Sequence, residues 1–212
     1  MLTIGLCGGI GTGKTTAQDA FRAFGIPGID ADVVYHSLIE HPSPLTTALA
    51  KRFGQKILRQ NGSVDRAALA AIVFSEGNER DREDLNRLTH GAVLDECRAW
   101  LAEKEAEGAD AAIVNAPLLF ESGFDRECNL TIAILAPTEV RVERILSRDG
   151  MSRAEALRRI EAQHSDEYLT EHTDFQLVND RDLQDLTRKV HDLAEIIRKN
   201  AEEYKHGKQE FI

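Results

Sequence analysis

The stretch Gly-Gly-Ile-Gly-Thr-Gly-Lys-Thr at residues 8–15 constrains this chain more than any other part of it. An apolar run, LTIGL at 2–6, precedes it, and residues at helical spacing (Ala17, Ala20, Phe21, Phe24) follow it and stop at Gly25. A strand, a loop of the form G-x-x-x-x-G-K-[ST] and a helix together make a phosphate-binding loop. The chemistry explains the residue types. Glycines such as Gly9, Gly11 and Gly13 let successive backbone N–H groups turn toward phosphate oxygens with no Cβ in the way. The helix that follows presents its positive end to the anion. Lys14 is expected to reach the outer phosphates, and the Thr15 hydroxyl to ligate Mg²⁺.

The remaining pattern predicts an α/β fold. GIPGID at 25–30 reads as a second short strand, AAIVNA at 111–116 as a third, LTIAILA at 130–136 as a fourth and DFQLVND at 174–180 as a fifth. Between the second and third, from Asp32 to about Gly108, the periodicity is almost wholly helical, with breaks at HPSP (41–44) and NGS (61–63). That segment is too long for a simple crossover and reads as a helical insertion. Thr138–Arg148 is a helix candidate closed by Asp149-Gly150, and Ser152-x-x-Glu155 is a capping box that opens another. Leu183, Leu186, Val190, Leu193 and Ile197 mark the apolar face of a long terminal helix, and the KHGKQEFI tail is expected to fray. Five strands alternating with helices imply a parallel sheet flanked by helices, with a helical insertion and a helical lid.

Composition excludes more than it identifies. A net charge of −10 over 212 residues argues against a nucleic-acid surface, which needs a basic patch. No apolar run approaches the 18–20 residues of a membrane span, the longest being AALAAIVF at 67–74. Cys7, Cys97 and Cys128 form no C-x-x-C pair and no metal spacing, as befits a reducing compartment, and no basic apolar leader opens the chain. The expected location is the cytoplasm.

A phosphate loop by itself leaves hydrolysis and transfer open. No Asp is followed three residues later by Gly and no N-K-x-D occurs, so a GTPase switch lacks its signals. The third strand ends in Asn115 rather than an acidic residue, so the carboxylate usual in hydrolases is missing there too. These absences favour a small-molecule kinase. Asp30 and Asp32 fall beyond the carboxyl end of the second strand, where open parallel sheets bind ligands. Asp30 can be a helix N-cap or a functional carboxylate. Asp32 is the candidate base for an acceptor hydroxyl. Arg141, Arg144 and Arg148 recur at i, i+3 and i+7 on one helical face, and Arg144 and Arg148 are the candidates to spread guanidinium forks over a transferring phosphoryl group. The histidines read as surface residues; His90 stands at an apparent helical break in LTHGAV.

The motifs GLCGGIGTGKTT, IDADVV, HPSPL, NGSVDRAALAAIVF, LTHGAV, PLLFESGFD, ERILSRDGMSRAEALRRIEAQ and VND occur in an order that resembles the dephospho-CoA kinases, from residue 3 to about 195. The resemblance implies transfer of the ATP γ-phosphoryl to the ribose 3′-hydroxyl of dephospho-CoA, the last step of coenzyme A biosynthesis. It implies that Asp32 is the catalytic base and that Gly11, Thr12, Gly13, Lys14, Thr15 and Thr16 hold ATP. It sets His90, Leu118, Phe120 and Glu121 at the acceptor, Arg144 and Arg148 in the lid, and Asn179 near the adenine. The nucleotide-binding core then comprises 1–32 with 111–136 and 171–206, the acceptor-binding insertion 33–110 and the lid 137–170. Three positions depart from the family pattern: Cys7 where Thr is common, Gly91 where Pro is usual, and Asn115 where an apolar or acidic residue is common. The open alternatives are a kinase for a nucleoside, nucleotide or sugar acid, and a nucleotide-dependent binding protein without transfer.

Overall fold

A computed structural model of the chain describes residues 1–73 and 78–205, with side chains through 201. His206 and the rest of the tail expected to fray lie outside the described residues, as does Phe74 at the end of the apolar run. Five strands, β1 (Leu2–Cys7), β2 (Gly28–Asp30), β3 (Ala111–Asn115), β4 (Leu130–Leu135) and β5 (Phe175–Val178), form one sheet in the order β2-β3-β1-β4-β5. β1 pairs in parallel with β3 and β4, and β4 in parallel with β5. From β1 the chain goes to the edge strand β2, comes back through β3 beside β1, and then crosses to β4 and β5 on the other side. In an open sheet that reversal point is where ligands bind, beyond the strand carboxyl ends. The phosphate loop leaves from there.

The helices are α1 (Lys14–Ala23), α2 (Ala31–Glu40), α3 (Pro44–Phe53), α4 (Arg66–Val73), α5 (Glu79–Ala106), α6 (Thr138–Asp149), α7 (Arg153–Glu161), α8 (Asp166–His172) and α9 (Leu183–Lys205). The chain divides into two compact units, one made of Met1–Ile29 and the chain from Leu101 onward, the other of Asp30–Trp100.

In the first unit, strand alternation decides which side chains face α1 and α9. Leu2, Ile4 and Leu6 of β1, Ala111 and Ile113 of β3, and Leu130, Ile132 and Ile134 of β4 share a core with Ala17 and Phe21 of α1 and with Leu186, Val190, Leu193, Ala194 and Ile197 of α9. Side chains two apart on a strand point the same way, so the other face of β1 carries Gly5, over which Leu119 and Cys128 pack. The stripe foreseen for the terminal helix is buried except at Leu183, its first residue, which is 63% exposed. The capping box at Ser152 and Glu155 forms as the spacing predicts, and Gly150 takes the left-handed conformation (φ 64°) that closes α6.

In the second unit, Ile39, Leu45, Leu49, Phe53, Ile57, Val64, Leu69 and Val73 make a separate core. The predicted break at HPSP has a physical cause: Ser43 caps α3 reciprocally with Thr46, and Pro44 occupies the first turn, where its missing N–H costs nothing. The apparent helical break at His90-Gly91 is not there. α5 runs without interruption through both residues, because one glycine costs a helix only about 1 kcal/mol and Leu88 and Ala92 on either side pack against the core of this unit. A Cβ on Gly91 would meet nothing within 4 Å. Gly91→Ala is therefore expected to stabilise the fold by about 0.5–1 kcal/mol, read from urea denaturation.

Candidate functional site

The loop starts with a close approach. Gly8 has φ +141°, and a Cβ there would lie 2.4 Å from the Ile134 carbonyl oxygen of β4. At the other end Gly13, with φ +97°, is the N-cap of α1; its Cβ would fall 2.4 Å from Asn179 Nδ2. Both positions require glycine, one for space against backbone and both for conformation. Within the loop, the Lys14 ammonium donates to the carbonyls of Gly8 (2.7 Å) and Gly9 (3.3 Å), and the Thr12 hydroxyl donates to Gly9 O (2.9 Å). Thr15 and Thr16 stand exposed in the first turn of α1. A glycine cradle at a helix start, a lysine over it and an exposed hydroxyl one residue on fit a nucleotide polyphosphate and, at Thr15, a hard divalent cation.

Residues beyond β4 and β5 brace this loop. Asn179 is buried; its backbone N–H donates to Leu135 O (2.7 Å) and its side chain to Thr12 O (2.8 Å). Arg144 of α6 donates through Nη1 to Gly11 O and Thr12 O and through Nη2 to Asn179 O and Oδ1, at 3.2–3.3 Å. Arg148, one turn beyond Arg144 on α6, forms a bidentate pair with Asp149 and has a 64% exposed side chain. Arg141, one turn before Arg144, is 3% exposed. Its Nε donates to Ile10 O (2.9 Å) and its Nη1 lies 3.3 Å from Asp166 Oδ1, while Gln163 Oε1 accepts from Ile10 N–H (2.7 Å). Residues on both sides of α7 thus grip one residue of the loop, Ile10. Burial pulls the guanidinium of Arg141 below its ordinary range, opposed by Asp166, and pushes the Asp166 carboxyl up, opposed by Arg141.

Leu118, Phe120 and Glu121 line a small open cleft together with Cys7, Gly8, Gly9, Gln163 and His164. Glu121 Oε1 lies 3.2 Å from His164 Nε2. His164, Tyr168 and His172 stack in a ladder with ring centroids 4.0 Å apart at each step, and Phe120 meets all three edge-on. The structure thus brings Leu118, Phe120 and Glu121 to the loop as one group. The histidine ladder reads in the sequence only as plain i, i+4 spacing, and Arg141 as one of three arginines on a face. The signal that ranks Arg141 is its position: it is the first arginine after Pro137 at the carboxyl end of β4, whereas Arg148 stands seven residues or about 10 Å farther along the helix.

In the other unit, Asp30 is the N-cap of α2, its Oδ1 accepting from the backbone N–H of Asp32 (2.9 Å) and Val33 (3.3 Å). Asp32 occupies the exposed first turn of α2, and His90 lies partly buried midway along α5.

Asn115 has a structural account. Its Nδ2 donates to Gln18 Oε1 (2.9 Å), both residues being buried, so β3 is tied to the phosphate-loop helix by a neutral amide pair where a carboxylate would bring a buried charge. Cys7, also buried, is pushed up to about 12 by desolvation, against the lowering charge of Lys14. Cys128 rises to about 12 and Cys97 to about 11, both chiefly through burial. Raised thiol pKa values mean neutral thiols, so iodoacetamide at pH 8 is expected to label the folded protein at no more than about a tenth of the rate seen in guanidinium, where the thiols titrate near 8.5. Mass spectrometry over time reads the difference.

Residues 2–185 match the family model for dephospho-CoA kinase. The chain belongs to the dephospho-CoA kinase family. A dephospho-CoA kinase of Corynebacterium glutamicum is 37% identical over 198 residues, covering 93% of this chain and 98% of the relative. The enzyme of Anaeromyxobacter dehalogenans is 39% identical over 163 residues, or 77% of this chain and 76% of its own length. Among solved structures, the dephospho-CoA kinase from Campylobacter jejuni superposes with a TM-score of 0.69 at 25% identity, covering 93% of this chain and 98% of that one. The five-stranded sheet and its flanking helices are those of a phosphate-loop kinase, and membership in a kinase family carries ATP use with it. Among the described residues no helix is long and apolar enough to cross a membrane, and no group of three or more His, Cys, Asp or Glu could hold a metal ion.

Proposed function

We propose that this chain transfers the γ-phosphoryl group of ATP to the ribose 3′-hydroxyl of dephospho-CoA, yielding CoA and ADP. The family match over residues 2–185 carries the reading. In the reaction, Asp32 takes the proton of the 3′-hydroxyl, the freed oxygen bonds to the γ-phosphorus, and the bond from that phosphorus to the β–γ bridging oxygen breaks to release ADP. Gly9, Gly11, Thr12, Gly13, Lys14, Thr15 and Thr16 bind the polyphosphate, Lys14 offsetting charge on the outer oxygens. Mg²⁺, held by the Thr15 hydroxyl, supplies further charge neutralisation when bound. Asn179 faces the adenine.

The insertion at 33–110 holds the acceptor through His90, with Leu118, Phe120 and Glu121 contributed from the loop after β3. Residues 137–170 act as the lid, and core segments 1–32, 111–136 and 171–206 hold the nucleotide. Arg144 and Arg148 bring lid cations to the phosphoryl in flight, and the closed lid excludes water, which competes as acceptor. Three neutral, unpaired thiols support a cytoplasmic location. We place neither nucleic acid nor membrane among the partners, in keeping with the net charge of −10.

A coupled ADP-release assay with and without dephospho-CoA tests the proposal. ADP formation that depends on dephospho-CoA supports it. Release that ignores dephospho-CoA, or appears only with a sugar acid or nucleoside, overturns it.

A further inference from the structure

We propose that Arg141 is a phosphate-contacting residue of this enzyme, its Nη2 donating to an oxygen of the terminal phosphoryl group of ATP. The inference rests on the phosphoryl-transfer reading of the loop and adds a residue to it.

The guanidinium of Arg141 is buried and only partly used. Nε is spent on Ile10 O and Nη1 on Asp166, which fix the plane of the fork. Nη2 is buried and has no hydrogen-bond partner among the described residues. Leaving a buried charged donor unmade is costly, and such a group in a folded protein calls for a partner that the protein chain itself does not supply. The location says what kind. Nη2 lies against Gly9, where a Cβ would sit only 2.1 Å from it, so the absence of a side chain at residue 9 is what lets the arginine reach the loop. The Gly9 carbonyl accepts from the Lys14 ammonium, so two cations converge on Gly9. Asp166 answers Arg141 with a single 3.3 Å contact, and its own carboxyl is disfavoured as an anion by burial. An oxyanion arriving at this peptide meets a donor already oriented and already desolvated, the arrangement in which a charge-assisted bond is strongest.

Gly9 has to shift off Nη2 for the contact to form. A glycine backbone allows that movement. The arginine would then report on the last phosphate: ATP completes its hydrogen bonds, ADP does not. Arg144 differs in this respect, since both its terminal nitrogens are already bonded to loop carbonyls and Asn179.

The test is nucleotide affinity, measured calorimetrically without any acceptor, with the β,γ-imido analogue of ATP and with ADP, each with Mg²⁺. Arg141→Gln is expected to weaken the ATP analogue about tenfold, one charge-assisted hydrogen bond, and to leave ADP within about twofold. Turnover is expected to fall about a hundredfold, as when one transition-state donor is removed. Arg141→Lys, which keeps the charge and loses the fork, serves if the Gln variant does not fold, with the same discrimination expected at lower amplitude. Equal weakening of both nucleotides would reduce Arg141 to a loop-positioning residue. Unchanged affinity for both would mean that water satisfies Nη2. Either result overturns the proposal. Because no acceptor is present, these affinities stand apart from the acceptor assignment: failure to phosphorylate dephospho-CoA would sink that reading and leave this one intact.

Discussion

Asp32→Asn is expected to bind ATP with wild-type affinity and to transfer its terminal phosphoryl at least about a hundredfold more slowly, the low end of what a general base contributes. The substitution is clean because of where the residue sits. Asp32 lies in the exposed first turn of α2, two residues past a cap supplied by Asp30, so an isosteric amide removes the proton acceptor without uncapping the helix. Asp30→Asn is the matched control. Asn caps about as well as Asp, so that variant should keep stability and most of its activity. Rapid-quench measurement of ADP formation separates the transfer step from product release. If Asp32→Asn turns over near normally while Asp30→Asn is dead, the base has been assigned to the wrong carboxylate of the pair.

The second large effect concerns the loop itself. Gly8→Ala is expected to destabilise the protein by about 2–5 kcal/mol, combining overpacking with an unfavourable backbone conformation. For a chain of this size that lowers the melting temperature by roughly 5–15 °C. The obstacle is the Ile134 carbonyl oxygen, 2.4 Å from the new methyl group, and it belongs to a central strand paired on both sides. No side chain can swing away to relieve the clash. Nucleotide affinity should fall along with stability, since the loop must lift off β4. A variant melting within about 2 °C of the parent would show that β4 yields more easily than a paired strand should.

These two sites also mark what is legible in the amino-acid sequence. Every strand and the helices α6 and α7 are readable, because buried parallel strands are short apolar runs and the capping box at Ser152 announces a helix start; the seven-residue α8 is not. The nucleotide cradle was readable because its glycines are demanded by backbone approach, which leaves a fixed spacing. Asn115 looked like an anomaly in one dimension; its partner Gln18 lies 97 residues away, and no local pattern could have joined them. Arg141 is the reverse case. Its helical face was evident, but depth along that face was not, so the exposed Arg148 ranked above a residue that is almost wholly buried. The break placed at His90 failed for a different reason. A glycine is a stop signal only on average, and a helix of 28 residues absorbs one.

The amide pair beneath the loop has a consequence for how this enzyme responds to acidity. Asn115 and Gln18 carry no ionisable proton, and Cys7 and Cys128 hold theirs up to about 12. The floor under the phosphates is therefore electrically silent across the range in which a cell operates. Changes in turnover with pH must originate elsewhere, in other side chains or in the nucleotide itself. Such a floor keeps the grip on nucleotide steady.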